Sequence, residues 1–467
     1  MRQRIVFWAL CLLSANLLAQ TDSVVFTPQM LGDFLRFHPI SQAAALQDRE
    51  SQMVRLQSKG QFDPKFEFDL NRKEFDGKQY YDLQKYGLSI ATWPGIDFKA
   101  AYKSHSGEFL NPQNNLPDGG AVEVGADADL LRGLLFDERR AALEEARVFR
   151  LANEADRKMM LNELYARALS AYWNWSGAYA RFQLTSKSLA VADQRMDLVR
   201  KSQAAGFSAE IDTIEALSLV LSRRMDLEKS RLEMQKSKLM LGAFLWGPDS
   251  IPVQLAEETF PIDLRMRRAN LLPRDSMESM LRQLPQTSPE LLRLQADNLQ
   301  LDIARKLALN NILPEANLQY RWVTPSNQAF DNEGFNAGQN YTLGLGIEVP
   351  LFIRKERAYL ALNKIKRNEQ YLKIIDKQNE LQNKLRGTYQ GVVTYWTNSQ
   401  TAERAFQQFQ RLLDVESRQF RMGESNLFRV NKREDDLLKT GFKWIESLEA
   451  HELQTVELYR LSGRLAQ

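Results

Sequence analysis

One long amphipathic segment occurs twice in this chain, and nothing else in the sequence constrains the fold as hard. The first copy runs from about Arg140 to Gly206 and the second from about Arg357 to Gly423, at a constant offset of 217 residues (Gly206 to Gly423). Arg140, Ala141 and Leu143 fall on Arg357, Ala358 and Leu360, and Tyr172 falls on Tyr389. In the first copy Leu161, Tyr165, Ala168, Tyr172, Trp175, Tyr179 and Phe182 recur at alternating steps of four and three. The second copy carries Leu385, Tyr389, Val392 and Trp396, then Phe406, Phe409 and Leu413. Such spacing predicts a helix with an apolar seam packed coiled-coil fashion. At about 1.5 Å per residue each rod would be ~100 Å long, far beyond an ordinary helix. The aromatics share one stripe, so they are read as packing rather than as a cofactor box. The other faces are Gln, Asn, Arg, Lys and Glu. A rod of that kind is not buried all round and suits a helical wall that is wet on one or both sides.

The chain has 467 residues, with 62 Lys and Arg against 59 Asp and Glu. That balance gives no reason to propose nucleic acid as a partner. Residues 1–19 read as a secretory leader. Arg2 and Arg4 precede a short apolar run from Ile5 to Leu13, and Ala19 offers a small residue before a cut at Gln20. The run is too short for ~20 spanning residues. The one cysteine, Cys11, lies inside it, so the processed chain has no disulfide or thiol chemistry. No other apolar run approaches a spanning helix. A chain like this would cross a membrane only as a barrel.

Taken in order, residues 21–38 are spaced as a helix ending at His38-Pro39, and a polar helix from about Ile40 to Lys59 follows, stopped by Gly60 and Pro64. A β region comes next. Phe66, Phe68 and Leu70 alternate with charges, as do Phe98, Ala100 and Tyr102, and Val122, Val124 and Ala126; Tyr86 to Trp93 is a weaker fourth strand. The second half offers two strands, Ala316 to Trp322 and Tyr341 to Val349. Period-two segments of about ten residues suit tilted membrane strands, and equally a half-buried soluble sheet. The helix before each β region recurs at an offset of 250 (Pro39 to Pro289), whereas the rods recur at 217, so the first β region is 33 residues longer. That is one extra hairpin, most simply within residues 80–105. Return helices are expected from about Ala209 to Phe244 and Asn426 to Leu461. The resulting division is a leader (1–19), a first repeat (20–246), a Pro-rich linker with little regular structure (247–275) and a second repeat (276–467).

With these features together, the chain resembles the TolC-like outer-membrane efflux protein family over essentially its full processed length. The resemblance rests on the duplicated helix–strand–rod–tip–return pattern and on the tip Gly206 to Ala216, with Ile211, Asp212 and Ile214. The junction Leu130-Leu131-Arg132 through Asp137-Glu138-Arg139-Arg140 and the run Val349-Pro350-Leu351 add to it. It implies an α+β membrane protein: antiparallel coiled-coil hairpins, plus strands contributed to one transmembrane β-barrel shared by a homotrimer. It further implies a periplasmic membrane-fusion adaptor, an inner-membrane pump (RND or ABC type) and outer-membrane lipid as partners. Four strands per chain would close a barrel of twelve and six a barrel of eighteen. The family count of twelve is expected, with the extra hairpin extending at the outer face.

No catalytic constellation is present, and no cofactor or metal is expected. His38, His105 and His451 are far apart and lack metal-ligand spacing. Function is expected at the tips, Gly206-Phe207-Ser208 and Gly423-Glu424-Ser425. Glycine permits the left-handed turn, and Ser208 and Ser425 are placed to cap the returning helices. The family resemblance implies an acidic constriction at the tunnel mouth. Asp212 and Glu215 occupy those positions in the first copy, but Arg429 and Lys432 stand there in the second. The four are expected to face each other across neighbouring coils and hold the mouth closed; the alternative is solvated surface charge. The readings that remain open besides a passive export duct are a periplasmic coiled-coil scaffold and a stand-alone diffusion porin.

Overall fold

The computed structural model describes residues 24–134, 136–206, 209–267, 273–329 and 339–465. The predicted leader lies outside them, as do Phe207 and Ser208. In chain order the elements are β1 (Val24–Phe26), α1 (Pro28–Leu35), α2 (Pro39–Lys59), β2 (Lys65–Phe75), β3 (Lys78–Ala91), β4 (Ile96–Ser106) and β5 (Ala121–Asp129). Then come α3 (Glu138–Ala204), α4 (Glu210–Gly242), β6 (Thr259–Pro261), α5 (Arg274–Thr287) and α6 (Pro289–Asn310). The chain closes with β7 (Glu315–Pro325), β8 (Tyr341–Glu348), α7 (Arg354–Arg421) and α8 (Leu427–Leu461). The predicted rods are α3 and α7, of 67 and 68 residues. Two compact units are formed. One comprises Met1–Ala43, Met160–Leu284 and Leu381–Gln467, the other Ala44–Met159 and Pro285–Glu380.

The first unit is mainly helical. Its core gathers Leu164, Ala168, Tyr172 and Trp175 of α3, Leu241 of α4, and Ile445 and Leu448 of α8. The chain start departs from the expected helix: Val24–Phe26 is a strand, paired in parallel with Thr259–Pro261. Two adjacent β-branched valines favour extended backbone, and Pro28 then opens α1 at its first turn. The segment expected as an irregular linker supplies β6, so part of it is a packed belt. Tyr172 ties both ends of this arrangement. Its hydroxyl donates to Phe26 O (2.9 Å) and accepts from Ile262 N–H (3.1 Å). Ser176 Oγ donates to Ile262 O at 2.7 Å, and the Arg267 guanidinium lies 4.7 Å over the Trp173 ring. Here the expectation of a one-stripe rod fails. Tyr172, Trp173, Trp175, Ser176, Ala178 and Ala180 are all buried, because small residues on the remaining faces admit the belt and α8.

The second unit is built on a six-stranded sheet in the order β2-β3-β4-β5-β7-β8. Every neighbouring pair is antiparallel. The six predicted strands are all present, and β3 is longer than expected at 14 residues. At an offset of 250 β7 falls on β2, and at 217 β8 falls on β5, which identifies β3 and β4 as the inserted pair. The insertion does not extend from a four-stranded sheet, as expected. It stands inside the sheet, hydrogen-bonded to β2 on one side and β5 on the other. A buried or lipid-facing strand must pair its backbone, and a hairpin, being two strands, enters a meander without reversing its direction. Helices α3 and α6 pack in this unit through Ala141, Val148, Ala152, Ala296 and Ile303. The start of α3 is clamped. Asp137 Oδ1 accepts from Arg140 N–H (2.8 Å) and Nε (3.0 Å), and the Arg140 guanidinium also reaches Leu134 O (2.7 Å). Burial pushes the Asp137 carboxyl up, but the Arg140 amide and guanidinium, with Arg139, hold it below its ordinary range.

Candidate functional site

The tips belong to the first unit, and each is made by the way its helix ends. At the end of α3, Gly206 takes φ +80°, and its amide donates to Gln203 O at 2.9 Å. At the end of α7, Gly423 takes φ +77°, and the Glu424 amide reaches back to Gln419 O at 2.9 Å. Both glycines therefore serve as left-handed helix stops. A Cβ at either would meet nothing within 4 Å, so backbone conformation alone calls for glycine.

The returning helices are not capped as expected. Helix α8 is capped by Asn426, whose Oδ1 accepts from Arg429 N–H at 3.0 Å. Ser425, one residue earlier, instead donates to Glu416 Oε1 of α7. That bond, with the Arg433 and Arg429 charges, keeps the Glu416 carboxyl below its usual range. Helix α4 begins after Ala209, and Asp212 accepts from the Ala209 amide at 3.1 Å. Asp212 is thus the reciprocal half of a capping box. The expected cap at Ser208 lies outside the described residues, as does the expected tip contact at Phe207.

Beneath the turns the two hairpins share one small core: Ala192, Met196 and Val199 of α3, Ala216 and Val220 of α4, and Leu427 of α8, flanked by Phe420 of α7. A polar network lies alongside it. Arg195 Nη1 donates to Glu434 Oε2 (2.5 Å) and Asn431 Oδ1 (3.0 Å), and Ser188 Oγ donates to Glu434 Oε1 (3.0 Å). Arg223 of α4 pairs with Asp435 and faces Glu434 Oε1 at 3.6 Å. Glu434 and Arg223 are almost wholly buried, with side chains 4% and 6% exposed. Burial works against the Arg223 charge, but Asp435 and Glu434 more than compensate, so its pKa is raised.

Of the four expected constriction residues, Glu215 accepts from Asn431 Nδ2 at 3.0 Å, and Lys432 pairs with Asp436 of its own helix at 2.9 Å. Arg429 is exposed. The four do not pair with one another within the chain among the described contacts. The buried network of Arg195, Arg223 and Glu434 was not singled out in the sequence. One signal was available: at the repeat offset, Arg195 stands where the second copy has Leu412, and Glu434 where the first has Leu217. Each copy thus carries one charge of opposite sign where its counterpart has a leucine.

The histidines are tied to backbone. His38 Nδ1 accepts from Ile40 N–H (3.1 Å), His105 Nε2 from Leu116 N–H (3.2 Å), and His451 Nδ1 lies 2.9 Å from Val392 O. Among the described residues no group of His, Cys, Asp and Glu could hold a metal ion, and no helix is long and apolar enough to cross a membrane.

Residues 91–245 match the protein family described as outer membrane efflux protein. Over 183 residues the chain is 25% identical to the probable efflux pump outer membrane protein TtgC and to the antibiotic efflux pump outer membrane protein ArpC, both of Pseudomonas putida. That match covers 39% of this chain and spans 37% of the length of those curated relatives. The fold is that of solved outer-membrane channels. The outer-membrane channel OprN superposes with a TM-score of 0.67 at 14% identity, over 94% of this chain and 91% of its own. The open-state MtrE channel of Neisseria gonorrhoeae superposes at 0.65 and 13%, over 97% and 95%.

Proposed function

We propose that the chain, whose residues 91–245 match the outer membrane efflux protein family, is the outer-membrane duct of a tripartite efflux or type I secretion system. It conducts substrates passively, and the energy comes from a partner. The observation that carries this reading is a pairing within one chain. Helical hairpins far longer than a globular core needs occur with a sheet that is apolar on one face and open at both edges. A scaffold has no use for such a sheet, and a diffusion porin none for such hairpins. An open edge in lipid leaves unpaired amides and carbonyls at several kcal/mol each, so closure calls for more copies, which is met by a homotrimer. Helix α7 supports this with Leu362, Ile365, Leu372 and Ile375, all exposed and spaced as a seam.

The domain reading follows: leader 1–19, repeats 20–246 and 276–467, and a joining segment 247–275. The helical part stands in the periplasm. Tips Gly206-Phe207-Ser208 and Gly423-Glu424-Ser425 meet a membrane-fusion adaptor, and beyond it an inner-membrane pump. Exposed Ile211, Ile214 and Phe428 beside them give that contact an apolar component. Arg429 and Lys432 face Asp212 and Glu215 of the neighbouring chain and narrow the mouth. Fractionation and unboiled gel migration test the whole reading. An SDS-resistant trimer in the outer-membrane fraction is expected, and a soluble periplasmic monomer would overturn it.

A further inference from the structure

We infer that three copies of this chain close an eighteen-stranded barrel, with the inserted strands β3 and β4 as full staves of its wall. The inference rests on the reading of the sheet as part of a trimeric membrane duct, and it gives that duct a wider outer pore than a twelve-stranded wall would allow.

The first observation is the register. Leu88 of β3 stands opposite Phe66 of β2 and Ala100 of β4, and Ala100 stands opposite Val124 of β5. Val124 in turn stands opposite Trp322 of β7, which stands opposite Tyr341 of β8. Since side chains alternate between faces, this row crosses all six strands on one face and is apolar throughout. The parallel row Phe98, Ala126, Tyr320 and Leu343 repeats it. Phe66, Leu88, Phe98 and Leu343 are 71%, 42%, 54% and 60% exposed in the single chain. A hairpin projecting into water would have no cause to continue the apolar band of its neighbours. Along β3 the band runs from Tyr86 through Leu88 to Ile90, and Trp93 follows in the turn after the strand; Tyr and Trp are aromatic residues of the kind that rim a hydrocarbon layer.

The second observation is charge on the opposite face. The inserted strands bring lysines, and the strands on either side bring acids. Lys85 of β3 pairs with Asp69 of β2 at 3.3 Å, while Lys99 and Lys103 of β4 pair with Asp127 and Glu123 of β5, both at 2.6 Å. Without β3 and β4, the acids of β2 and β5 would confront one another. The insertion is therefore matched to both neighbours as a wall element.

The third observation is curvature and closure. Gly87, Gly125, Gly344 and Gly346 all fall on the charged face. Small residues there let the sheet bend toward that side, and the inserted β3 shares the device. Glu123 and Asp127 are correspondingly crowded, at 9% and 8% exposed. The two edges are bare: all of β2 and nearly all of β8 is exposed. With six strands per chain, β8 of one copy and β2 of the next run antiparallel, as a continuous barrel needs. Diameter grows about linearly with strand number. Eighteen strands thus give about 1.5 times the bore of twelve and about twice its cross-section.

The test uses the trimer in lipid vesicles, with single-cysteine variants Leu88→Cys, Phe98→Cys, Leu343→Cys and Lys99→Cys carrying a nitroxide. The only natural cysteine, Cys11, falls in the predicted leader. Expected is strong relaxation by oxygen and weak relaxation by a water-soluble nickel chelate at 88, 98 and 343, with the reverse at 99. Oxygen accessibility at 343 with chelate accessibility at 88 and 98 would overturn the inference and leave the membrane reading standing. Chelate accessibility at 343 as well would overturn both. Should the variants fail to assemble, a projection of the unmodified trimer down its axis decides: eighteen strands support the inference and twelve end it.

Discussion

At the scale of single residues, Tyr172 and Glu434 carry the most. Tyr172 is completely buried, and burial, the largest influence, pushes its phenol up to about 12. The unfolded chain ionises near the ordinary value of 10, so below that pH both states hold the proton. Between about pH 10 and 12 only the unfolded state releases it. Stability should therefore fall as pH rises through that window, by roughly 2–3 kcal/mol at most from this group. Tyr172→Phe should abolish that share of the alkaline loss, at a cost of about 1–3 kcal/mol at neutral pH, because Ile262 N–H and Phe26 O lose a buried partner. Urea titrations of the solubilised protein at pH 8 and pH 11 would read both effects. Glu434→Ala would strand Arg195 and Arg223 with one acid fewer in a buried site, a loss of about 3–5 kcal/mol. An unchanged urea midpoint would show the network to be idle. Gly423→Ala, by contrast, adds only the strain of a left-handed residue, about 1–2 kcal/mol.

At the scale of elements, the rods were plain in the sequence because a seam repeated at steps of three and four over so many turns has no other reading. The strands were legible for the same reason, with their period of two. What escaped was anything set by a remote partner. Val24–Phe26 is three residues long, and only β6 makes it a strand. The burial of Trp173 depends on Arg267 and the belt, far along the chain. Ser425 sat where a cap was expected, but Asn426 beside it was the better-placed acceptor, and only geometry separates the two. The place of the inserted hairpin in the sheet likewise lay in its pairing, although its length was read correctly from two unequal offsets. The exposed seam of α7 belongs at this scale. Leu372→Asp places a carboxylate on the stripe that the trimer reading covers, so the trimer should dissociate at a lower temperature on unboiled gels. An unmoved dissociation temperature would remove that stripe from the interface.

At the scale of the whole molecule, the two copies of the repeat are more alike in their helices than in their ends. The strand end of the first copy carries the added hairpin, and the tips carry opposite charge. If Arg429 and Lys432 hold the mouth against Asp212 and Glu215 of a neighbour, Arg429→Glu combined with Lys432→Glu should raise single-channel conductance severalfold in a planar bilayer. A closed state of unchanged conductance would return these residues to ordinary solvated surface. The tip charges act between chains in this reading, whereas Arg195, Arg223 and Glu434 act within one. The two sets should therefore separate cleanly, the first altering conductance and the second altering stability.

The pairing of β1 with β6 also sets a timetable. Val24 lies at the front of the described chain, yet its partner is Thr259, and the bond from Tyr172 to Ile262 waits for the same stretch. A contact of such high sequence separation is entropically late. The helical unit cannot finish its core from the front of the chain alone. Until the belt arrives, Val24–Phe26 lacks the strand it pairs with.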